Sequence, residues 1–479
     1  MILALLAAGC GRRADVGPVD VSVIGPTPRL MSGARVPPLT GNRILTDAVA
    51  EGLVRFDAVG QIEAGIAERW IVIDDGRSYI FRLRNAQWSD GSAVRAADIV
   101  PLLRRKLAQG GTNSVAPYLT AVESIVEMTP EVIEIELARP RPDLLKLFAQ
   151  PDMGLVRPDR NAGEGAGPFR RRDTKERGSL LLVPALDPDR DPDDDGPTPE
   201  QNVRLRGERA ALAILRFVER RSDLVSGGTI ADWPILQTAN PAPANVRIDP
   251  AAGLFGLAVV SRQGFLAEAA NRAAIAQAFD RADLTTAISP DWAARETVLP
   301  EQLDSAAPPM VPAWATLPPE QRPAAARTRV AAWRAVHGVP VVRIALPGGP
   351  GGTMLWARLA RDLYAIGVRP IRTALDDAAA DLRLVDAVAP YDNARWYLAE
   401  ACVTCAAEAQ AAIEAARLAD TLPQRATATA LADRLLTEDV AFIPLARPFR
   451  WSLVALRLRQ WQPNARAWHP LNRLRADPN

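Results

Sequence analysis

Three stretches of the 479-residue chain bring together residue types with chemical potential. Cys402 and Cys405, in Glu400-Ala401-Cys402-Val403-Thr404-Cys405, form a C-x-x-C that suits a redox pair, half a metal site or a local disulfide. A zinc site needs a second Cys/His pair, and the chain offers only Cys10 and two distant histidines, His337 and His469. A thioredoxin-like motif should follow a strand in a small βαβ unit, whereas this pair precedes an Ala-rich helical stretch. The reading taken is a small structural disulfide of an exported protein, with a free thiol pair as its alternative. Asp191-Pro192-Asp193-Asp194-Asp195-Gly196 matches the opening of a calcium loop, which presents oxygen ligands at alternate positions. Its twelfth position is Asn202 rather than a bidentate Glu, and Pro192, Pro197 and Pro199 stiffen the backbone, so a solvated acidic loop is expected and no metal site is assigned. Gly348 to Gly352 could cradle an anion before a helix, but without G-x-G-x-x-G spacing it reads as a linker.

Composition removes whole classes of function. The chain carries 57 Lys+Arg against 56 Asp+Glu, a net charge of +1, so nothing argues for a nucleic-acid partner. All but three of the basic residues are Arg, and none of Lys106, Lys146 and Lys175 follows a glycine, which excludes a P-loop. There is no H-E-x-x-H and no G-x-S-x-G, and with two His a general-base triad is unpromising, so the chain is read as not an enzyme and without a cofactor. Hydrophobic content of 48% supports globular units, about three of them at roughly 150 residues each.

The N-terminus opens on the apolar run Met1 to Ala8, then Gly9-Cys10. Such a run spans only about 14 Å as a helix, too short to cross a bilayer. Leu6-Ala7-Ala8-Gly9-Cys10 resembles a bacterial lipobox, in which Cys10 is acylated and anchors the mature protein. No basic residue precedes Ile2, so the true start is expected upstream of Met1.

These stretches are set on a mixed α/β frame. Tyr79 to Arg84 and Val132 to Leu137 alternate apolar and charged residues as half-buried strands, with a helix from Ala96 to Leu107 between them. Leu45 to Val54 reads as a helix ending near Gly52. Leu212 to Val218 reads as a strand, followed by a short helix closing on Gly227-Gly228. Gly256 to Val260 reads as a buried strand and Asn271 to Ala282 as a helix. Val341 to Leu346, a helix with Leu355, Leu359, Leu363 and Ile366 on one stripe, and Val368 to Thr373 make a βαβ unit. Helices Ala406 to Ala419 and Gln424 to Glu438 precede Phe442-Ile443-Pro444-Leu445.

Several stretches, in order along residues 45 to 479, resemble the bacterial extracellular solute-binding proteins of family 5, which serve oligopeptide, dipeptide and nickel ABC importers. They are Glu51-Gly52-Leu53-Val54-Arg55-Phe56-Asp57, Ile66-Ala67-Glu68-Arg69-Trp70, Asp74-Asp75-Gly76, Trp88-Ser89-Asp90-Gly91 and Ala97-Asp98-Ile99-Val100. Gly165-Ala166-Gly167-Pro168-Phe169, Ser226 to Trp233, Asn271 to Leu284 and Ile443-Pro444-Leu445 continue the series, and His469 in Trp468-His469-Pro470 matches a structural tail motif.

The resemblance implies a two-lobed fold like that of the type II periplasmic binding proteins, with an additional α+β domain and the ligand cleft between lobes. After a signal segment at 1–10, lobe I would combine 11–47, 164–255 and 443–479, the additional domain would be 48–163, and lobe II 256–442. The implied function is the substrate-binding component of an ABC importer, a monomeric, lipid-anchored, periplasmic protein that captures a peptide or peptide-like solute and delivers it to permease subunits. A receptor-like envelope lipoprotein that senses without import is the alternative.

Peptide-binding members share W-x-A-D-Y-x-[DE]-P, whose first acid pairs with the peptide ammonium. The nearest match is Val388 to Trp396, and by this register Pro390 stands at the acid position and Ala387, just before the stretch, at the Trp position. The expected ligand-binding residues are therefore neighbours: Asp386 or Asp392 replacing the acid, and Tyr391 and Trp396 stacking on a ligand.

Overall fold

A computed structural model describes residues 17–31, 39–108, 113–157, 165–172, 174, 176, 178–191, 193, 196–301 and 303–475. The lipobox with Cys10, and Pro192, Asp194 and Asp195 of the acidic loop, lie outside the described residues.

A seven-stranded sheet has the order Val246–Asp249, Arg450–Val454, Leu224–Gly228, Val19–Ile24, Val203–Glu208, Ser179–Pro184 and Phe169–Arg172. Val19–Ile24 runs parallel to both of its neighbours, and every other pairing is antiparallel. A five-stranded sheet has the order Arg369–Ala374, Val341–Leu346, Leu382–Val388, Gly253–Val259 and Phe442–Ala446. Its first three strands are parallel and the last two antiparallel to their neighbours. Helix Gly349–Ala365 joins the parallel strands Val341–Leu346 and Arg369–Ala374, as the βαβ pattern predicts. All seven residues of Gly253–Val259 are buried, which is why this strand is apolar without alternation.

A third, antiparallel sheet orders Ala67–Ile73, Ser78–Leu83, Val132–Leu137 and Val122–Thr129. In Val132–Leu137 the side chains of Ile133, Ile135 and Leu137 are buried while Glu134 and Glu136 are not, the expected half-buried register. Helix Ala96–Leu107 packs on this sheet, with Ala96, Ile99, Val100, Leu102 and Leu103 buried.

Among the described residues, only two segments carry the chain between the seven- and five-stranded sheets. Residues 250–252 follow Val246–Asp249 into Gly253–Val259, and 447–449 return from Phe442–Ala446 to Arg450–Val454. Gly253 has φ +151, and a Cβ there would stand 2.1 Å from the Ala387 carbonyl oxygen, so glycine is required at the first crossing.

Four sequence expectations are corrected. Leu212 to Val218 is not a strand but lies in helix Ala210–Val218, whose buried Ala210, Ala213, Ile214 and Phe217 follow the 3.6-residue repeat. The short helix expected after it is strand Leu224–Gly228, which its central place in a sheet favours over helix. The helix placed at Leu45 to Val54 is Thr40–Val49, and Val54–Phe56 is already a strand. Asn271 to Ala282 divides into Ala269–Ala278 and Arg281–Thr286, the second begun by Asp280, whose carboxylate accepts from the Asp283 N–H at 2.9 Å.

Candidate ligand cleft

In parallel sheets, ligands collect outside the carboxyl ends of the strands, where diverging connections leave a crevice. Both large sheets are mixed, and segments that follow the carboxyl ends of their parallel-paired strands touch. The segment after Leu224–Gly228 meets the segment after Val341–Leu346, with the Gly351 N–H donating to the Ala231 carbonyl at 3.0 Å. Gly348 to Gly352 is therefore no linker. Gly349 to Gly352 form the first turn of helix Gly349–Ala365, and a Cβ on Gly351 would stand 1.8 Å from the Ile230 carbonyl oxygen. The Gly351 N–H is spent on this contact rather than on an anion.

The segment after Leu382–Val388 carries the residues singled out from the sequence. Asp386, within that strand, pairs with Arg450 at the second crossing, Oδ1 to Nη1 2.7 Å, and its carbonyl accepts from Nη2 at 3.0 Å. Tyr391 is buried, with its ring edge-on to Tyr118 at 5.7 Å, and burial pushes its hydroxyl pKa up. Asp392 receives Lys146 Nζ at 2.6 Å and also pairs with Arg466. Burial pushes the Asp392 carboxyl up, but the bonds from Lys146 and Arg466 outweigh it and hold the pKa below the ordinary value. Trp396 is buried edge-on to Tyr397 at 4.9 Å. Thus the segment brings all four residues together, but with the two acids matched to internal cations and the two aromatics in the core.

The backbone between them is held from several sides. The Ala389 N–H donates to Ala252 at the first crossing at 2.8 Å, and the Ala389 carbonyl accepts from Arg466 at 3.1 Å. The Pro390 carbonyl accepts from Gln150 Nε2 at 2.7 Å. Asn393 Nδ2 donates to Asp304 at 2.8 Å and Asp143 at 3.1 Å, and Asp304 also accepts from the Ala394 N–H at 2.7 Å, starting helix Ala394–Ala401. Lys146, Gln150, Arg450 and Arg466 are partners of this segment that sequence reasoning missed. Lys146 is 246 residues from its partner, and no local pattern marks such a pairing.

The remaining candidates play quieter parts. Cys402 and Cys405 are joined as a disulfide with Cα atoms 5.1 Å apart. Thr404 between them accepts from Arg262 through its carbonyl and donates through its hydroxyl to Val259 at 2.7 Å. In the acidic loop, Asp191 accepts from the Asp193 N–H at 3.0 Å, a local turn. Among the described residues, no group of three or more His, Cys, Asp and Glu is arranged to hold a metal ion. His469 is buried, with Nε2 3.1 Å from Asp249 beside the first crossing and its ring 4.5 Å from that of Trp461. Among the described residues, no helix is long and apolar enough to cross a membrane.

Comparison with known proteins gives a consistent result. The model of "Bacterial extracellular solute-binding proteins, family 5 Middle" matches residues 61–333. The chain is 30% identical over 144 residues to the probable deoxycholate-binding periplasmic protein YgiS of Escherichia coli K12, covering 26% of this chain and 27% of that one. It is 35% identical over 85 residues to the periplasmic oligopeptide-binding protein OppA of Haemophilus influenzae, covering 18% of this chain and 15% of the relative. These alignments span about a quarter or less of the relatives' lengths. The structure of the Escherichia coli murein tripeptide binding protein MppA matches at TM-score 0.77 and 16% identity, over 96% of this chain and 98% of that chain. Haemophilus influenzae OppA in complex with RPPGFSPFR matches at TM-score 0.76 and 14% identity, over 95% and 98%. At these identities the structural likeness establishes the fold, the two-lobed type II periplasmic-binding-protein architecture expected from the sequence. With its family model matched over more than half its length, the chain belongs to family 5 of the bacterial extracellular solute-binding proteins.

Proposed function

We propose that this chain is the substrate-binding component of an ABC importer, taking up a peptide or peptide-like solute between its two lobes and passing it to a permease. The observation that carries this reading is that, among the described residues, the two large sheets are joined by only two short crossings while segments beyond their strand ends meet, a frame suited to hinge closure. Ligand would favour the closed arrangement only through contacts it makes there and not in the open one. Lobe I would comprise 11–47, 164–255 and 443–479, lobe II 256–442, and the additional domain 48–163. Cys10 would carry the lipid anchor in the periplasm, and the protein would act as a monomer without catalysing a reaction.

The ligand, in this reading, brings no free α-ammonium to segment 386–392. Pro390 occupies the position of the family's pairing acid, Asp386 is matched to Arg450, and Asp392 to Lys146 and Arg466. Solutes with a blocked or missing amino terminus fit this arrangement, and the name of YgiS, a probable deoxycholate-binding periplasmic protein, points to one such non-peptide solute.

Native mass spectrometry of the protein purified from its own cell envelope tests the proposal. A bound solute released on denaturation, with no free amino terminus, is the expected result. Ordinary peptides with free amino termini would overturn the ammonium argument. Protein that carries no solute, and whose deletion leaves solute uptake unchanged, would overturn the importer assignment in favour of the sensor.

A further inference from the structure

The contact between the four-stranded unit and the five-stranded lobe holds an unusual concentration of guanidinium groups. Arg139 and Arg141 follow strand Val132–Leu137, Arg395 lies in helix Ala394–Ala401, and Arg425 lies in helix Leu422–Glu438. Arg425 is only 4% exposed, yet its Nε and Nη1 have no hydrogen-bond partner, and the buried Arg139 Nε has none either. Arg425 Nη2 is 3.2 Å from Asp304 and 3.9 Å from Asp143, two carboxylates that also receive Asn393. Arg139 reaches the exposed Asp420 at 3.8 Å. Arg141 gives its Nη1 and Nη2 to carbonyls only, those of Pro140 at 2.7 Å and Arg417 at 2.6 Å. Arg395 lies over the Tyr118 ring at 5.0 Å, and the Tyr118 hydroxyl donates to Glu400 at 2.8 Å. No carboxylate among the described residues is within ion-pairing distance of Arg141 or Arg395. Two positive charges are thus left without a direct counter-charge in a partly desolvated seam.

Burying donors without acceptors and crowding like charges both cost stability, so such a cluster needs an occupant that supplies oxygen and negative charge. We propose that Arg139, Arg141, Arg395 and Arg425 form a binding site for a doubly charged tetrahedral oxyanion, sulfate or hydrogen phosphate, between the four-stranded unit and the five-stranded lobe. The charge matches the two guanidiniums that lack an ion pair, and the planar N–H forks pair with oxygen atoms two at a time. Burial and then the proximity of Arg425, Arg395 and Arg139 push the Arg141 pKa down to about 10, a strain that an anion would relieve. The site involves neither Asp386 nor Asp392, so it stands or falls independently of the solute proposed for the cleft.

The experiment is thermal unfolding and calorimetric titration of the full chain with sodium sulfate and sodium phosphate, against sodium chloride at equal ionic strength. Saturable binding that raises Tm by about 5 °C is expected. Arg141→Gln and Arg395→Gln should each weaken it about tenfold or more, while Arg459→Gln, at an exposed position, should leave it unchanged. A rise in Tm that does not saturate, and is equal in Arg141→Gln and the unaltered chain, would be a general salt effect and would overturn the proposal. Calorimetric silence in the unaltered chain would overturn it as well.

Discussion

Arg272 and Arg425 are 2% and 4% exposed, yet their surroundings differ in kind. Arg272 sits in a cage of acceptors. Its Nη1 donates to the carbonyls of Leu266 and Ala267 at 2.7 and 2.9 Å, its Nε to Asp439 O at 3.0 Å, and its Nη2 to Asp439 O and Oδ1 at 2.5 and 2.6 Å. Asp439 is shared with Arg262 and accepts from the Ala406 N–H as well. Arg281 donates through Nε and Nη1 to the Pro444, Ala276 and Phe279 carbonyls, with the Trp314 ring 4.4 Å away, but its Nη2 has no hydrogen-bond partner. Both belong to the Asn271 to Leu284 stretch that resembles the family, where Arg272 fastens its helix to Asp439 and Arg281 fastens the next to Pro444 of strand Phe442–Ala446. Around Arg425 the donors outnumber the acceptors. Arg272, with its partners complete, belongs to the scaffold, and Arg425, with two donors unpartnered, retains capacity to bind.

Breaking the complete cage should have the largest effect. Arg272→Met leaves three carbonyls without their donor and Asp439 with one guanidinium fewer, and should cost about 3–5 kcal/mol in denaturant unfolding. Arg141→Met, at the seam, relieves like-charge crowding and should change stability by less than about 1 kcal/mol without anion. Equal losses in the two variants would dissolve the distinction. Asp433 supplies an acidic counterpart of the incomplete kind. It is buried, accepts from the Met310 N–H at 2.7 Å through Oδ2, leaves Oδ1 unpartnered, and burial pushes its pKa up to about 6. A carboxyl raised in the folded state binds its proton more tightly there than when unfolded. Its contribution to stability is full below the unfolded value near 3.8 and is lost as pH rises through about 6. Asp433→Asn should flatten that part of the stability profile between about pH 4 and 6, and an unchanged profile would show that the carboxyl is not strained. The smallest effect is expected at Asp392, whose side chain is 45% exposed. Asp392→Asn should cost less than about 1 kcal/mol despite two ion pairs, as measured by the same unfolding transition.

The comparison also explains what was legible in the sequence. Elements whose period shows in the chain were read closely: helix Ala96–Leu107 and strands Val132–Leu137 and Val341–Leu346 lie where the patterns placed them. Leu212 to Val218 was misread because only Arg216 interrupts the apolar run, so the stripe of Ala213, Ile214 and Phe217 is masked by exposed Leu212, Leu215 and Val218. Segment 386–396 was found through motif resemblance, yet its surroundings were not, since Lys146, Arg450 and Arg466 come from three other parts of the fold. The seam arginines left no trace in the sequence either. In a chain where nearly every basic residue is Arg, four more attract no notice until packing shows which lack partners.

The glycine contact between the lobes has a further consequence. Gly351 rests directly on the main chain of Ile230 and Ala231, with no side chain between them. Because a Cβ at position 351 would fall inside the Ile230 carbonyl, any other residue there would wedge the two main chains apart, so the spacing at this end is one that only glycine permits.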